Sequence, residues 1–257
     1  MSRAIGIIGV GEIASAIVEG ACASGDHPDF FLSPRNVERS TRLANDFDRV
    51  EVCESNQDVV DRSEHIILSV LPEQTESVLS ELDIPSDRTV VSAIAGVSVA
   101  ALSPLLPQNP NVVRVIPLPP VRERQGVTAV HPAHLEVEKF FDVLGGTVVA
   151  ETEVLFSTLS ATTATMSAYY AYLQTIADWL VGQGWGRVDA DRIVRGQFAG
   201  LGNKLATTDS SFADLVAGHE TPGGLNEMLH RDWMDEDNSA ALSASLDRVF
   251  ERVTKSD

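Results

Sequence analysis

Lysine and cysteine are scarce in this chain. Only three of its 257 residues are lysine (Lys139, Lys204, Lys255), and 37 acidic residues face 19 basic ones, for a formal net charge of −18. That excess repels nucleic-acid phosphates and anionic headgroups, so nucleic acid and membrane are excluded as main partners. Either a salty habitat or a GC-rich genome produces such an acidic, lysine-poor surface. Cys22 and Cys53 are too few for a disulfide framework and lack CxxC spacing, so both are expected as free, buried thiols. No metal site is expected: His131 and His134 flank a proline-containing turn without a cysteine or a further histidine, and His219, beside Glu220, reads as a surface loop residue. No apolar run approaches a membrane span, and no basic-then-apolar leader precedes the first strand, so a cytoplasmic location is expected.

What is present is an ordinary globular composition, 44% hydrophobic, in a chain long enough for two domains. Its organising stretch is Ile5-Gly6-Ile7-Ile8-Gly9-Val10-Gly11-Glu12-Ile13-Ala14. A β-branched run enters a Gly-x-Gly-x-x-Ala turn, which opens a helix with Ile13, Ala16, Ile17 and Ala21 at helical spacing. Gly9 allows a tight strand-to-helix turn, Gly11 lets backbone approach a pyrophosphate, and Ala14 lets helix and sheet pack closely. The N–H groups of the first turn, at Glu12, Ile13 and Ala14, then point at the phosphates with the positive end of the helix dipole. The motif alone also fits a plain βα turn; its strand–turn–helix context makes it a dinucleotide site.

The second strand, Asp29 to Ser33, selects among nicotinamide cofactors. An NAD site places an acidic residue near its end. Here Ser33-Pro34-Arg35-Asn36 follows, with nothing acidic before Glu38, and the forked guanidinium of Arg35 suits a 2′-phosphate. NADPH is therefore favoured over NADH, the other reading of Arg35 being a solvated surface charge. Further strands are predicted at 50–52, 65–70, 89–93, 112–116, 126–130 and 147–150, alternating with helical stretches. This is α/β texture, a Rossmann-type, doubly wound, mostly parallel sheet. The strand ending in Val70-Leu71-Pro72 marks where the ligand crevice of such a sheet lies.

Near residue 152 strand-like runs stop. The domains are expected at 1–152, binding the cofactor, and 153–257, all helical. A long helix is predicted over 155–181, then one capped by Asp189 and running to about Thr207, another over 211–217, one opened by Thr221-Pro222-Gly223-Gly224, and a last over 237–254. Thr221 suits an N-cap and Pro222 the first helical position. The two glycines would leave N–H groups uncovered, an anion site that fits a carboxylate, unless the segment is an ordinary helix start. Tyr169 and Tyr170 are candidate orienting groups or packing residues.

With these residues in view, the chain resembles pyrroline-5-carboxylate reductase over nearly its whole length. The shared landmarks are the Gly9-x-Gly11 loop, Ser33-Pro34-Arg35, Asn56, Ser69 to Pro72, Ser92 to Val97, Arg114 to Pro117 and Thr221 to Gly224. The resemblance implies an NADPH-dependent reductase of a cyclic imine carboxylate, pyrroline-5-carboxylate to proline being the leading case. It implies a homodimer, or a larger assembly, formed through the helical domain, which also completes the active site. Ser33 and Arg35 would then meet the 2′-phosphate and Asn56 the adenosine ribose, with Val70, Leu71, Pro72 and Ala93, Ile94, Ala95, Gly96 flanking the nicotinamide. Thr221, Asn226 and Tyr169 would be the catalytic polar groups, and Gly223, Gly224 and Leu225 would hold the substrate.

Departures from the family pattern fall at the substrate. Leu118-Pro119 replaces a polar pair, Leu71 a lysine, and Leu225-Asn226 a pair of threonines, while the entry to the long helix reads Ala164 to Tyr169. No lysine occurs over 155–181, against a β-hydroxyacid dehydrogenase, whose catalytic lysine lies on the corresponding helix. An already protonated imine needs no strong acid to accept hydride, which suits such a site. The alternatives are a reductase of another imine or of a short 2-oxo or hydroxy acid, and a cofactor-binding paralogue without turnover.

Overall fold

The computed structural model describes residues 4–255. They divide into two compact units, residues 4–160 with 252–255, and residues 161–251.

The first unit is built on β-branched runs too apolar to leave either face in water. Its strands are β1 (Ala4–Ile8), β2 (Asp29–Leu32), β3 (Val50–Val52), β4 (His65–Leu68), β5 (Thr89–Ser92), β6 (Asn111–Ile116), β7 (Thr128–His131) and β8 (Thr147–Val149). They form one sheet in the order β3-β2-β1-β4-β5-β6-β7-β8, parallel except for β7 against β6. Both faces are covered, as a parallel sheet requires. Ile5, Ile7, Phe30, Leu32, Ile67 and Val91 pack on one side with helix α1 (Glu12–Cys22) and helix α6 (Leu135–Asp142). Ile8, Phe31, Ile66, Leu68 and Val90 pack on the other with α3 (Asn56–Asp61) and α4 (Thr75–Leu79). Strand order reverses between β1 and β4, and the crevice of an open α/β sheet opens at that point. Both cysteines are free, with burial pushing each thiol up to about 11.

From Glu153 onward the described residues form only helices and their connections. The first of these helices, α7 (Glu153–Thr162), belongs largely to the first unit, because Phe156 is buried against Ala129 and Ala150. The single helix expected over 155–181 is two: α8 (Thr165–Gly182) starts anew after a turn. At the break the backbone ladder tightens to i−3 contacts, Ala164 N–H donating to the Ala161 carbonyl at 3.2 Å and Met166 N–H to the Thr163 carbonyl at 3.3 Å.

The second unit continues with α9 (Arg187–Ala206), α10 (Phe212–His219), α11 (Leu225–Trp233) and the greater part of α12 (Glu236–Lys255). Gly186, in extended conformation, is the N-cap of α9, so Asp189 is an acidic first-turn residue rather than the cap. Thr221 and Pro222 likewise lie outside α11, whose N-cap is Gly224. Thr221 to Gly224 is a hydrogen-bonded turn, Gly224 N–H donating to the Thr221 carbonyl at 2.7 Å. Proline in second place and glycine at φ 73° in third are the chemistry of a type II turn, which competes with the predicted helix start.

Candidate functional site

The first unit carries an open cleft of about 480 Å³ at the point of strand reversal. Gly9, Val10 and Gly11 after β1, Arg35 and Asn36 after β2, and Ser69, Val70 and Leu71 after β4 line it. The loop is held from both sides. Ser33 Oγ accepts the Gly9 N–H at 3.0 Å, and Ser69 Oγ donates to the Gly9 carbonyl at 2.7 Å. Gly9 has φ 95°, and a Cβ there would lie 2.7 Å from the Ser69 carbonyl oxygen. A Cβ on Gly11, by contrast, meets nothing within 4 Å. The backbone at Gly11 therefore faces open space at the head of α1, a cradle that fits a pyrophosphate.

Arg35 is exposed in this cleft and forms no ion pair among the described residues. Its helical neighbours differ: Arg39 pairs with Glu12 at 2.7 Å, and Arg42 with Glu19 at 2.6 Å. The Glu12 carboxyl is held down to about 2, chiefly by its hydrogen bond from Arg122 and then by that from Arg39. Its charge is thus matched by two guanidinium groups, and the phosphate end of α1 is not left dominated by a bare carboxylate.

Of the cofactor residues expected from sequence, the cleft brings together Gly9, Gly11, Arg35, Val70 and Leu71. Glu12, Ile13 and Ala14 form the first turn of α1 beneath it. Ser33 is 1% exposed and committed to the Gly9 N–H, so it braces the loop instead of presenting its hydroxyl to a 2′-phosphate. Asn56, half-buried at the start of α3, and exposed Pro72 stand outside the lining. Ala93, Ile94, Ala95 and Gly96 leave the carboxyl end of β5, with Ile94 turned into the core. Sequence reasoning passed over Asn36 and Ser69. Asn36 Nδ2 donates to the Val10 carbonyl at 2.9 Å while its Oδ1 caps helix α2 (Val37–Asp46), and a helix-capping asparagine next to Arg35 was the available signal.

In the second unit, Asn226 lines a separate pocket of about 430 Å³ with Leu205, Phe212, His219 and His230. Its amide nitrogen donates to the His219 carbonyl at 2.8 Å, which ties α11 back to the end of α10. Thr221, Gly223 and Leu225 are exposed and Gly224 is half-buried. The Gly223 N–H already donates to Glu227, so a carboxylate of the chain itself sits on the turn expected to take an anion. Tyr169, 46% exposed, joins an aromatic group with Tyr170 and Phe198, and Phe198 meets Tyr172, which stacks on Trp233 at 5.2 Å.

A strand-reversal cleft with a Gly-x-Gly loop at a helix head defines a Rossmann-type dinucleotide-binding oxidoreductase, here joined to a helical unit. Residues 4–96 match the family model described as NADP oxidoreductase coenzyme F420-dependent. The chain is 29% identical over 234 residues to pyrroline-5-carboxylate reductase 3 of Danio rerio, covering 86% of this chain and 80% of that protein. It superposes on 1-pyrroline-5-carboxylate reductase from Streptococcus pyogenes with a TM-score of 0.75 at 26% identity, covering 96% of this chain and 98% of the other. A pyrroline-5-carboxylate reductase from Coxiella burnetii shares the fold at a TM-score of 0.85 and 20% identity, covering 100% and 98%. The chain is similar to pyrroline-5-carboxylate reductases over most of its length.

Proposed function

We propose that the protein is an NADPH-dependent reductase of a cyclic imine carboxylate, converting pyrroline-5-carboxylate to proline, and that it works in the cytoplasm. The observation that carries the cofactor choice is Arg35, an unpaired guanidinium in the same cleft as the Gly9–Gly11 loop, with no carboxylate at the end of β2. When bound, NADPH supplies hydride to the imine carbon. Gly11 and the first turn of α1 hold the pyrophosphate, Arg35 the 2′-phosphate, and the backbone of Val70, Leu71 and Ala93 to Gly96 flanks the nicotinamide. Residues 153–257 supply the substrate groups: the turn at Gly223 and Gly224 takes the carboxylate in exchange for Glu227, and Thr221, Asn226 and Tyr169 orient the ring. No lysine is present on α7 or α8, so the chain offers the imine no strong acid there. A substrate protonated before hydride arrives leaves as a neutral amine without one.

NADPH oxidation followed with pyrroline-5-carboxylate, other cyclic imine carboxylates and short 2-oxo acids tests the reading. The highest kcat/KM is expected for pyrroline-5-carboxylate. The substitutions at Leu118 and Leu225 favour comparing the whole panel, and tight NADPH binding without turnover of any member would make the protein a non-catalytic binder.

Arg35→Ala is expected to weaken NADPH by about 1.5–3 kcal/mol, the worth of a hydrogen bond to a charged group, and NADH hardly at all. Dissociation constants from nicotinamide fluorescence measure this, and equal losses for both cofactors would take Arg35 out of the site.

The helical unit also supports assembly through a second copy. Among the described residues, α10 and α11 bury none of their own and α8 buries only Ala177, while Trp179, Phe212, Leu225 and Trp233 are 48–84% exposed. So much apolar surface on one unit marks an interface. Light scattering should give at least a dimer. A stable monomer at micromolar concentration would end this reading. No helix among the described residues is long and apolar enough to cross a membrane.

A further inference from the structure

Arg114, on the interior strand β6, is 1% exposed and is the largest fully buried side chain among the described residues. A guanidinium cannot shed its charge, so burial obliges it to find an anion. That anion is Glu153, the first residue of α7, whose Oε1 lies 2.8 Å from Arg114 Nη1. The guanidinium also lies over the Phe156 ring, 4.7 Å from its centre, which fixes it from a second side. The same Glu153 oxygen accepts the backbone N–H of Val99 at 2.9 Å.

Val99 is the first residue of α5 (Val99–Leu102), and its N–H is one of the donors a helix start leaves without a partner in its own ladder. Three residues earlier stands Gly96, the end of the Ala93–Gly96 turn leaving β5. The near end of that turn is anchored by the sheet: Ala93 N–H donates to the Leu68 carbonyl at 2.8 Å, and Ile94 is 4% exposed in the core. Beyond Ile94, Ala95 is exposed and Gly96 has φ 66°, and the chain meets the core again at half-buried Val97. The turn's far end is set where Ser98 caps Ala101 at 3.1 Å and Glu153 takes Val99.

We infer that Glu153 is a positioning residue: clamped by buried Arg114, it fixes the start of α5 and thereby the Ala93–Gly96 turn against which the nicotinamide is held. This rests on the proposal that the turn flanks the nicotinamide. Glu153 stands outside the lining of the cofactor cleft. Its carboxyl is drawn below the usual range because, although burial raises it, the Val99 N–H and Arg114 together outweigh that effect. It therefore stays charged at neutral pH and keeps both partners.

Two variants separate positioning from simple support of the fold. Glu153→Gln keeps an acceptor but removes the charge that holds Arg114. Val99→Pro keeps the charge of Glu153 but replaces the N–H by a ring carbon aimed at Glu153 Oε1, so the carboxylate must turn from α5 and keeps Arg114 as its partner. Proline suits the first helical position, and Ser98, at φ −75° and ψ 163°, already has the extended backbone that a residue before proline requires. Both are titrated with NADPH and with adenosine 2′,5′-bisphosphate, which carries the adenine half and its 2′-phosphate but no nicotinamide. The expected result is unchanged bisphosphate affinity with NADPH affinity lower by roughly tenfold, and kcat reduced about tenfold to a hundredfold through misplacement at the reacting carbon. Unchanged NADPH affinity in both variants overturns the inference. So does equal weakening of both ligands with a lowered Tm, which would make the contact support for the whole unit. If Glu153→Gln does not fold, Val99→Pro decides alone. A wild type that binds bisphosphate and NADPH equally well, yet turns over imine, removes the inference and leaves the proposed function standing; a wild type that binds neither removes both.

Discussion

A Gly224→Val variant binds NADPH as the parent does and loses imine turnover; this is the larger of the two strongest effects expected. A Cβ on Gly224 would lie 2.4 Å from Thr221 Oγ1 and 2.8 Å from the Thr221 carbonyl oxygen. The hydroxyl can rotate away, but the carbonyl cannot, because it is the acceptor that closes the turn. Opening the turn moves the head of α11 and with it Asn226, whose amide is tied to His219. A loss in kcat/KM of more than about a hundredfold, roughly 2.7 kcal/mol or more, is expected. NADPH titration and steady-state rates on pyrroline-5-carboxylate read the two halves separately. Asn226→Ala, which removes one bond, should lose about tenfold to a hundredfold, 1.4–2.7 kcal/mol. Full activity in both would move the substrate pocket elsewhere.

Gly9→Ala strikes the other end of the chemistry. At φ 95° a side chain is strained before any contact is counted, and the added carbon would press on the Ser69 carbonyl at 2.7 Å. The left-handed backbone alone costs roughly 1–2 kcal/mol, which in a chain of this size lowers Tm by roughly 2–8 °C. NADPH affinity should fall by about two orders of magnitude or more as the loop leaves the head of α1. Gly11→Ala is the informative partner, because its Cβ meets nothing within 4 Å of the protein. It should leave Tm unchanged and still weaken NADPH, since the space it fills is where a pyrophosphate would lie. Calorimetry beside cofactor titration distinguishes the two glycines. Equal Tm losses, or intact NADPH binding in Gly11→Ala, would take the loop out of the cofactor site.

The contrast between these glycines shows how legibility was divided. The Gly9-x-Gly11-x-x-Ala14 spacing announces the cofactor loop, since backbone requirements at a strand-to-helix turn are local and are written in adjacent residues. The alternation that sends Ile7 and Ile8 to opposite faces of the sheet is equally local, and so the sheet, its helices and the Arg35 corner were readable in order along the chain. Turn chemistry was misread where two local motifs compete for the same residues. Thr221-Pro222-Gly223-Gly224 is as good a type II turn as it is a helix start, and the chain passes from α7 to α8 over Thr162 to Thr165 with no glycine or proline to mark the stop.

What the tertiary structure alone decided is which polar groups are already spent. Ser33 carries the type and position of a phosphate ligand, yet its hydroxyl holds Gly9, a partner 24 residues away in sequence. Glu227 sits on the Gly223 N–H, and Glu153 joins Val99 to Arg114 across 54 and 39 residues. A side chain's chemistry is fixed by its type, so sequence determined the kinds of donor and acceptor available to the site. Its partner is set by where the chain returns in space, because a hydrogen bond depends on a few ångströms of distance that no spacing along the chain encodes.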